Sequence, residues 1–315
     1  VELVSVEAVE AAAARIAGVA VRTPLLPCPW ADPDRPLWLK PESLQPIGAF
    51  KIRGAYNAVA NLTDERRARG VVAYSSGNHA QAVAYAARMF GIRAWIVVPV
   101  DTPKVKVEAT RAHGAEVVLS AVGERESTAA EIAERTGAAL IPPFDHPDVI
   151  AGQGTIGLEI AADLHADVVL VPVSGGGLIS GVATAIKAKS PGTQVWAVEP
   201  ELAADTAASL AAGRLTEWPV AERNRTIADG LRSQPSALTF AHEQALVDGI
   251  VTVTEQQIRD TVGVLARRAR LVVEPSGAVA TAAYLHRAAE LPGGTTVAVV
   301  SGGNMDPGLT RELIG

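Results

Sequence analysis

Three observations predict an α/β fold, with mostly parallel, helix-flanked sheets divided between two domains. Short runs rich in β-branched residues alternate with helical patterns through most of the chain, the rhythm of βαβ units. The candidate strands are continuous apolar runs, as expected of parallel strands covered on both faces. The third observation is length: 315 residues, at roughly 150 per domain, make about two domains with room for a sizeable core.

Taken in order, the strand candidates are Gly70–Tyr74, Ala94–Val98, Glu116–Leu119, Asp167–Val173, Gln194–Glu199 and Thr296–Val300. Helical patterns lie between them. Asn78–Phe90 is followed by Gly91, Pro103–His113 by Gly114, Glu124–Arg135 by Gly137, and Leu178–Lys189 by Pro191, residues that stop helices. A further helix starts at Thr254, where Gln257 stands at capping-box spacing. Pro24 to Pro36 reads as extended surface chain. Ile141 to Pro147 is a second Pro-rich stretch, and it closes three consecutive βα units. The organisation expected is therefore a large domain of residues 1–69 and 149–315, with residues 70–148 inserted as a small one.

Composition narrows the function. Hydrophobic residues make up 48% and charged ones 20%, which excludes a disordered chain. Aromatics are only 4%, so Ala, Val, Leu and Ile must fill the core. With 28 basic and 34 acidic residues the net charge is −6, and no basic stripe is present, so no nucleic-acid partner is expected. The lone Cys28 between two prolines excludes a disulfide framework and reads as a spectator, a usage that fits a reducing, cytoplasmic location. The opening residues carry Glu7 and Glu10 before any Arg, the wrong polarity for a signal peptide. Val168 to Ile186 lacks charge but is broken by Pro172 and three glycines, so a strand, a loop and a helix start are expected there, and no membrane span. The histidines other than His79 have no metal-ligand spacing and read as surface or capping residues, while Trp196 reads as core.

Three segments carry chemistry. Gly175-Gly176-Gly177-Leu178 follows an apolar strand and opens an amphipathic helix, so its bare backbone N–H groups and the helix dipole suit a phosphate. It matches the dinucleotide fingerprint poorly, although Glu199 at the end of the next strand keeps that reading as a competitor. Ser75-Ser76-Gly77-Asn78-His79 also joins a strand to a helix and adds side-chain donors, a match to a carboxylate. In an open α/β sheet both loops lie at the carboxyl ends of strands, where ligands bind. Third, Lys51 stands between Phe50 and Ile52, an apolar setting that lowers an amine pKa toward Schiff-base chemistry.

Together with Gly152-Gln153-Gly154-Thr155, Glu274-Pro275-Ser276-Gly277 and Ser301-Gly302-Gly303-Asn304, these segments form an ordered set. In that set the chain resembles the pyridoxal-phosphate enzymes of the tryptophan-synthase β-like fold (fold type II), in the branch of serine racemases and serine/threonine dehydratases. The resemblance runs from about Arg22 to Met305. It implies that Lys51 holds the cofactor covalently and that Phe50 packs near the pyridine ring. Asn78 would meet the phenolic oxygen, and Gly175, Gly176, Gly177 and the Leu178 N–H would cradle the phosphate. Ser301 would meet the ring nitrogen, where a hydroxyl makes the ring a weaker electron sink than a carboxylate does. The substrate carboxylate would rest on Ser75, Ser76, Asn78 and His79. Freed Lys51 would remove the Cα proton, and the β-hydroxyl would leave as water.

The activity implied is an ammonia-lyase acting on L-serine, L-threonine or hydroxyaspartate. A racemase using Lys51 and Ser76 on opposite faces of Cα is the nearest rival. A β-replacement enzyme, a nucleotide-binding oxidoreductase and a non-catalytic cofactor-binding protein stand further off. Two departures from the family pattern are Ala49, where many relatives have serine, and a phosphate loop of three glycines after Ser174 rather than four. The resemblance also implies a divalent-cation site, Mg²⁺ or Ca²⁺, from the carboxylates of Glu199 and Asp205 and the Ala203 carbonyl, hard oxygen ligands suited to either ion. An acidic helix start is the alternative reading of that segment. A homodimer is expected by the same resemblance. With the last motif starting at Ser301, no C-terminal regulatory domain of the kind some threonine dehydratases carry is expected.

Overall fold

The computed structural model describes residues 1–314. Its strands, in chain order, are β1 (Leu26–Pro27), β2 (Leu37–Pro41), β3 (Val71–Tyr74), β4 (Ala94–Pro99), β5 (Glu116–Ser120), β6 (Ala139–Leu140), β7 (Val168–Pro172), β8 (Gln194–Pro200), β9 (Gly249–Val253) and β10 (Thr296–Val300). A six-stranded sheet has the order β1-β2-β10-β7-β8-β9, and a four-stranded sheet the order β5-β4-β3-β6. Every neighbouring pair is parallel except β1 with β2. The α/β fold with parallel sheets is as the apolar runs predicted. All five residues of β7 and all five of β10 are buried, the signature of strands covered on both faces.

The local signals act as expected. The helix Glu255–Val264 starts on a reciprocal capping box between Thr254 and Gln257. The helix Arg125–Thr136 ends at Gly137, whose left-handed conformation lets the chain turn away. Where the helices Pro147–Asp163 and Lys51–Ala60 cross, a Cβ on Gly152 would lie 2.5 Å from the Gly54 Cα, so their backbones touch and only glycine fits. Ile47, Ile52, Ala55 and Val59 share one apolar cluster with Val71, Ala73 and Ile96 of the four-stranded sheet. The helix that begins at Lys51 packs on the helix Asn78–Met89, which lies on that sheet, while its other side meets the helix Pro147–Asp163.

Several details differ from expectation. The stretch Pro24–Pro36 contains β1. β2, β6 and β9 were not expected as strands, and helix ends shift by a residue. His242 is fully buried, not at the surface: its Nε2 accepts from the Val4 N–H at 2.9 Å, and its Nδ1–H donates to the Leu238 carbonyl. Trp196 is half-buried, with its indole N–H turned to Gln194. His146 does cap a helix, accepting from the Asp148 N–H. Among the described residues no helix is long and apolar enough to cross a membrane.

A closed cluster of buried charge ties the pieces together. Arg53 and Glu42 are both fully buried and pair at 2.8 Å. Arg53 also meets Glu159 at 2.6 Å, and Glu159 pairs with buried Lys40 on β2. Thr23, Gln45, Thr155 and the Val21 carbonyl supply further hydrogen bonds. Burial works against charge at Glu42, but the Arg53 guanidinium outweighs it and holds the carboxyl below its usual range. The cluster anchors the helix whose first residue is Lys51.

Candidate active site

A cavity of about 370 Å³, within the range of small-molecule sites, lies where the two sheets present the carboxyl ends of β3, β7 and β10. Phe50, Lys51, Ser75, Ser76, Asn78, His79, Gly175, Gly176, Gly177, Leu178 and Ser301 all line it. Residues from four separate segments of the sequence thus converge on one space.

Hydrogen bonds of the backbone bring the lysine and serine segments together. The Phe50 N–H donates to the Ser301 carbonyl at 3.0 Å, and Ala49 bridges to Gly302. Lys51 Nζ donates to the Pro143 carbonyl at 2.7 Å and lies 5.1 Å from the centre of the Phe50 ring. Burial, with no carboxylate partner to offset it, lowers its pKa to about 8. An amine held this way sheds its proton far more readily than an exposed lysine, as a nucleophile or a general base requires.

Two helix N-termini open on the cavity, and neither is closed by a side-chain cap. The first belongs to the helix Asn78–Met89, preceded by Ser75, Ser76 and Gly77. The second belongs to the helix Gly177–Lys189, whose N-cap Gly176 has φ +85. A Cβ on Gly175 would fall 2.2 Å from the Phe144 ring, and one on Gly176 would fall 2.3 Å from Glu243 Oε1. Only bare backbone fits there, and it leaves N–H groups for an anion. This cradle and the buried amine are the features a phosphate-bearing aldehyde cofactor requires.

His79 differs from the expected donor. It is buried, its Nε2–H is committed to the Ile141 carbonyl at 2.8 Å, and burial together with the Lys51 charge pushes its pKa down to about 3. It is a neutral ring that braces the loop against the strand end. Asn78 is held from both sides: its Nδ2–H donates to Glu274 at 2.7 Å, and its Oδ1 accepts from Asn304 at 2.8 Å. Glu274 and Asn304 lie in the quoted motifs, but their grip on Asn78 had no local signal. Burial pushes the Glu274 carboxyl up to about 8, with Asp229 adding repulsion. The wall residues Tyr74, Lys106, Arg125 and Phe144 were also not anticipated, since nothing in their neighbourhoods marks them as site residues.

Glu199, Ala203 and Asp205 are not in the cavity lining. Both oxygens of Glu199 accept backbone N–H groups, from Thr206 and Ala207, each at 2.9 Å. Asp205 and Ala203 are buried, and Asp205 Oδ2 has no hydrogen-bond partner. Burial, with Asp205 adding repulsion, pushes Glu199 up to about 8, and burial pushes Asp205 up to about 6. Among the described residues no group of three or more His, Cys, Asp or Glu side chains is arranged to hold a metal ion. An orphaned, buried carboxylate oxygen beside a second carboxylate and a backbone carbonyl nevertheless fits a hard cation completed by water.

Comparison with known proteins agrees with this geometry. The profile of the family described as pyridoxal-phosphate dependent enzyme matches residues 16–302. An L-threonine ammonia-lyase of Thermotoga maritima is 46% identical over 282 residues, covering 88% of this chain and 69% of that protein. An L-threo-3-hydroxyaspartate ammonia-lyase of Saccharomyces cerevisiae is 42% identical over 274 residues, covering 86% and 83%. The solved structure of maize serine racemase superposes with a TM-score of 0.94 at 39% identity, covering 99% of this chain and 97% of that one.

Proposed function

The chain belongs to the pyridoxal-phosphate dependent enzyme family, and from that premise we propose that it is an ammonia-lyase converting a β-hydroxy L-amino acid to a 2-oxo acid and ammonia. The observation that carries this reading is Lys51, a buried amine with its pKa lowered to about 8, in a cavity onto which two uncapped helix N-termini open.

Pyridoxal phosphate, when bound, supplies an electron sink that makes the Cα proton of an amino acid removable. Gly175, Gly176, Gly177 and the Leu178 N–H would hold its phosphate, Phe50 would pack on its ring, and Ser301 would meet its ring nitrogen. Asn78, fixed by Glu274 and Asn304, presents an amide to its phenolic oxygen. The loop Ser75 to His79 holds the substrate carboxylate at the other helix N-terminus. Lys51 Nζ takes the Cα proton as general base, and the β-hydroxyl leaves as water. The large domain is residues 1–69 and 149–315, the small one 70–148, and the site lies between them. Glu199, Asp205 and the Ala203 carbonyl would hold Mg²⁺ or Ca²⁺, a reading supported by the unpartnered Asp205 Oδ2. The assembly is a cytoplasmic homodimer, checked by light scattering at twice the 32.6 kDa chain mass and by cell fractionation.

The test is release of 2-oxo acid and ammonia from L-serine, L-threonine and L-threo-3-hydroxyaspartate. Equal amounts of the two products are expected from at least one substrate, and Lys51→Ala loses at least about 10²-fold in rate. No release from any of the three, or an unimpaired Lys51→Ala, contradicts the reading. Racemisation is the second reading, favoured by Ser76 sharing the cavity with Lys51. Chiral analysis of recovered serine should detect the other enantiomer from wild type and much less from Ser76→Ala.

A further inference from the structure

Glu243 lies on the helix Ala237–Leu246, is 1% exposed, and neither of its carboxylate oxygens has a hydrogen-bond partner. A buried carboxylate without a donor is costly, so its position calls for a reason. Oε1 lies beneath the phosphate loop, at 2.3 Å from where a Cβ of Gly176 would stand. On its other side it feels the repulsion of Glu199 and Asp205, which with burial pushes its carboxyl well above the usual range. Arg223 acts on Asp205, while its Nε–H and an Nη1–H donate to the carbonyls of Trp218 and Arg232. Three buried carboxylates therefore stand together behind a loop shaped for an anion.

We propose that Glu243 is a positioning residue that couples a divalent cation at Glu199, Asp205 and the Ala203 carbonyl to the phosphate-binding loop, so that cation and cofactor phosphate hold each other in place. This rests on the pyridoxal-phosphate and cation readings above. The three carboxylates do not form a ready-made ligand set, so Glu243 takes an outer position and reaches the ion through water, as second-shell carboxylates do. With the ion present, Glu243 is answered by positive charge and its carboxylate steadies the loop from below. Without the ion, that carboxyl is left unpartnered beneath Gly176 and the loop loses its support. The two ligands are then linked, and linkage is reciprocal.

The experiment measures pyridoxal-phosphate dissociation from the holoenzyme by dialysis and visible absorption, with Mg²⁺ or Ca²⁺ against a chelator. For wild type, chelation should weaken cofactor retention by about tenfold or more, within the usual range of couplings. Glu243→Gln, which keeps the shape and removes the charge, should reduce that dependence to about twofold or less. Glu243→Leu should behave the same way, and circular dichroism confirms that both variants are folded. Calorimetric titration with Mg²⁺ should show the converse, a cofactor-dependent affinity in wild type that is lost in both variants. A wild type indifferent to the cation, or a Glu243→Gln variant retaining the full cation dependence, overturns the proposal. A protein that takes up no pyridoxal phosphate under any condition overturns the family-based assignment and the coupling with it, a result distinguishable because no visible chromophore forms.

Discussion

Arg53, Glu42, Glu159 and Lys40 make one cluster of buried charge, and Glu199, Asp205 and Glu243 make another, yet the two are answered in different ways. In the first, each carboxylate meets a guanidinium or an ammonium at 2.6–2.8 Å, and neighbouring hydroxyl, amide and carbonyl groups take up the remaining hydrogen bonds. In the second, Asp205 keeps one orphaned oxygen, Glu243 keeps two, and among the described residues no lysine or arginine forms an ion pair with them. Closed networks of the first kind need nothing from outside and do structural work, here fixing the helix that begins at Lys51. An open cluster of the second kind leaves buried carboxyl oxygens unpartnered, a cost that a ligand supplying the missing partners would offset. Both clusters contain buried acids, but only the first carries the bases that answer them.

The largest expected effect comes from breaking the closed cluster. Arg53→Ala leaves Glu42 buried without its partner and should cost about 3–5 kcal/mol of stability, read from the urea midpoint. A cost near zero would mean that the cluster is not holding the fold. The open cluster should respond with the opposite sign. In the presence of chelator, Glu243→Leu removes a buried, unpartnered carboxyl and should raise stability by on the order of 1 kcal/mol. The formally similar Glu42→Leu should lower it, so equal signs for these two replacements would erase the contrast.

A smaller effect appears in pH dependence. Glu42 has its pKa lowered in the folded state, so its contribution is present above the ordinary carboxyl value of 4.5 and is lost as pH falls through its folded pKa. Glu274 is raised from 4.5 to about 8, so the folded state holds its proton more tightly than the unfolded one. Its effect on stability therefore turns unfavourable as pH rises from 4.5 towards 8. Glu274→Gln should lose less stability than wild type between pH 5 and 8, and denaturant titration at the two pH values measures this. An unchanged slope would remove Glu274 as the source.

What could be read from the sequence follows the same division between local and distant causes. β3, β4, β7 and β10 were legible because both faces are covered and their residues are almost all apolar. β2 was not, because Leu37–Pro41 ends in Lys40 and Pro41; that lysine is tolerated only because Glu159 and the Thr23 carbonyl, distant in sequence, meet it. β9 includes Gly249 and alternates in burial, so no continuous apolar run marked it. The cavity residues of the lysine, serine and glycine segments were legible because each is a short loop at a helix start. Glu243 was not, since Ala241-His242-Glu243-Gln244 reads as a polar helix face, and its burial arises only when that helix packs under Gly176.

The central claim is that Lys51 is the residue that carries the cofactor. Borohydride reduction of the purified holoenzyme fixes the covalent link, and peptide mass mapping then locates it. The account predicts a phosphopyridoxyl group on Lys51, absent from Lys51→Ala. A label on Lys40 or Lys106, or on no lysine at all, would contradict it.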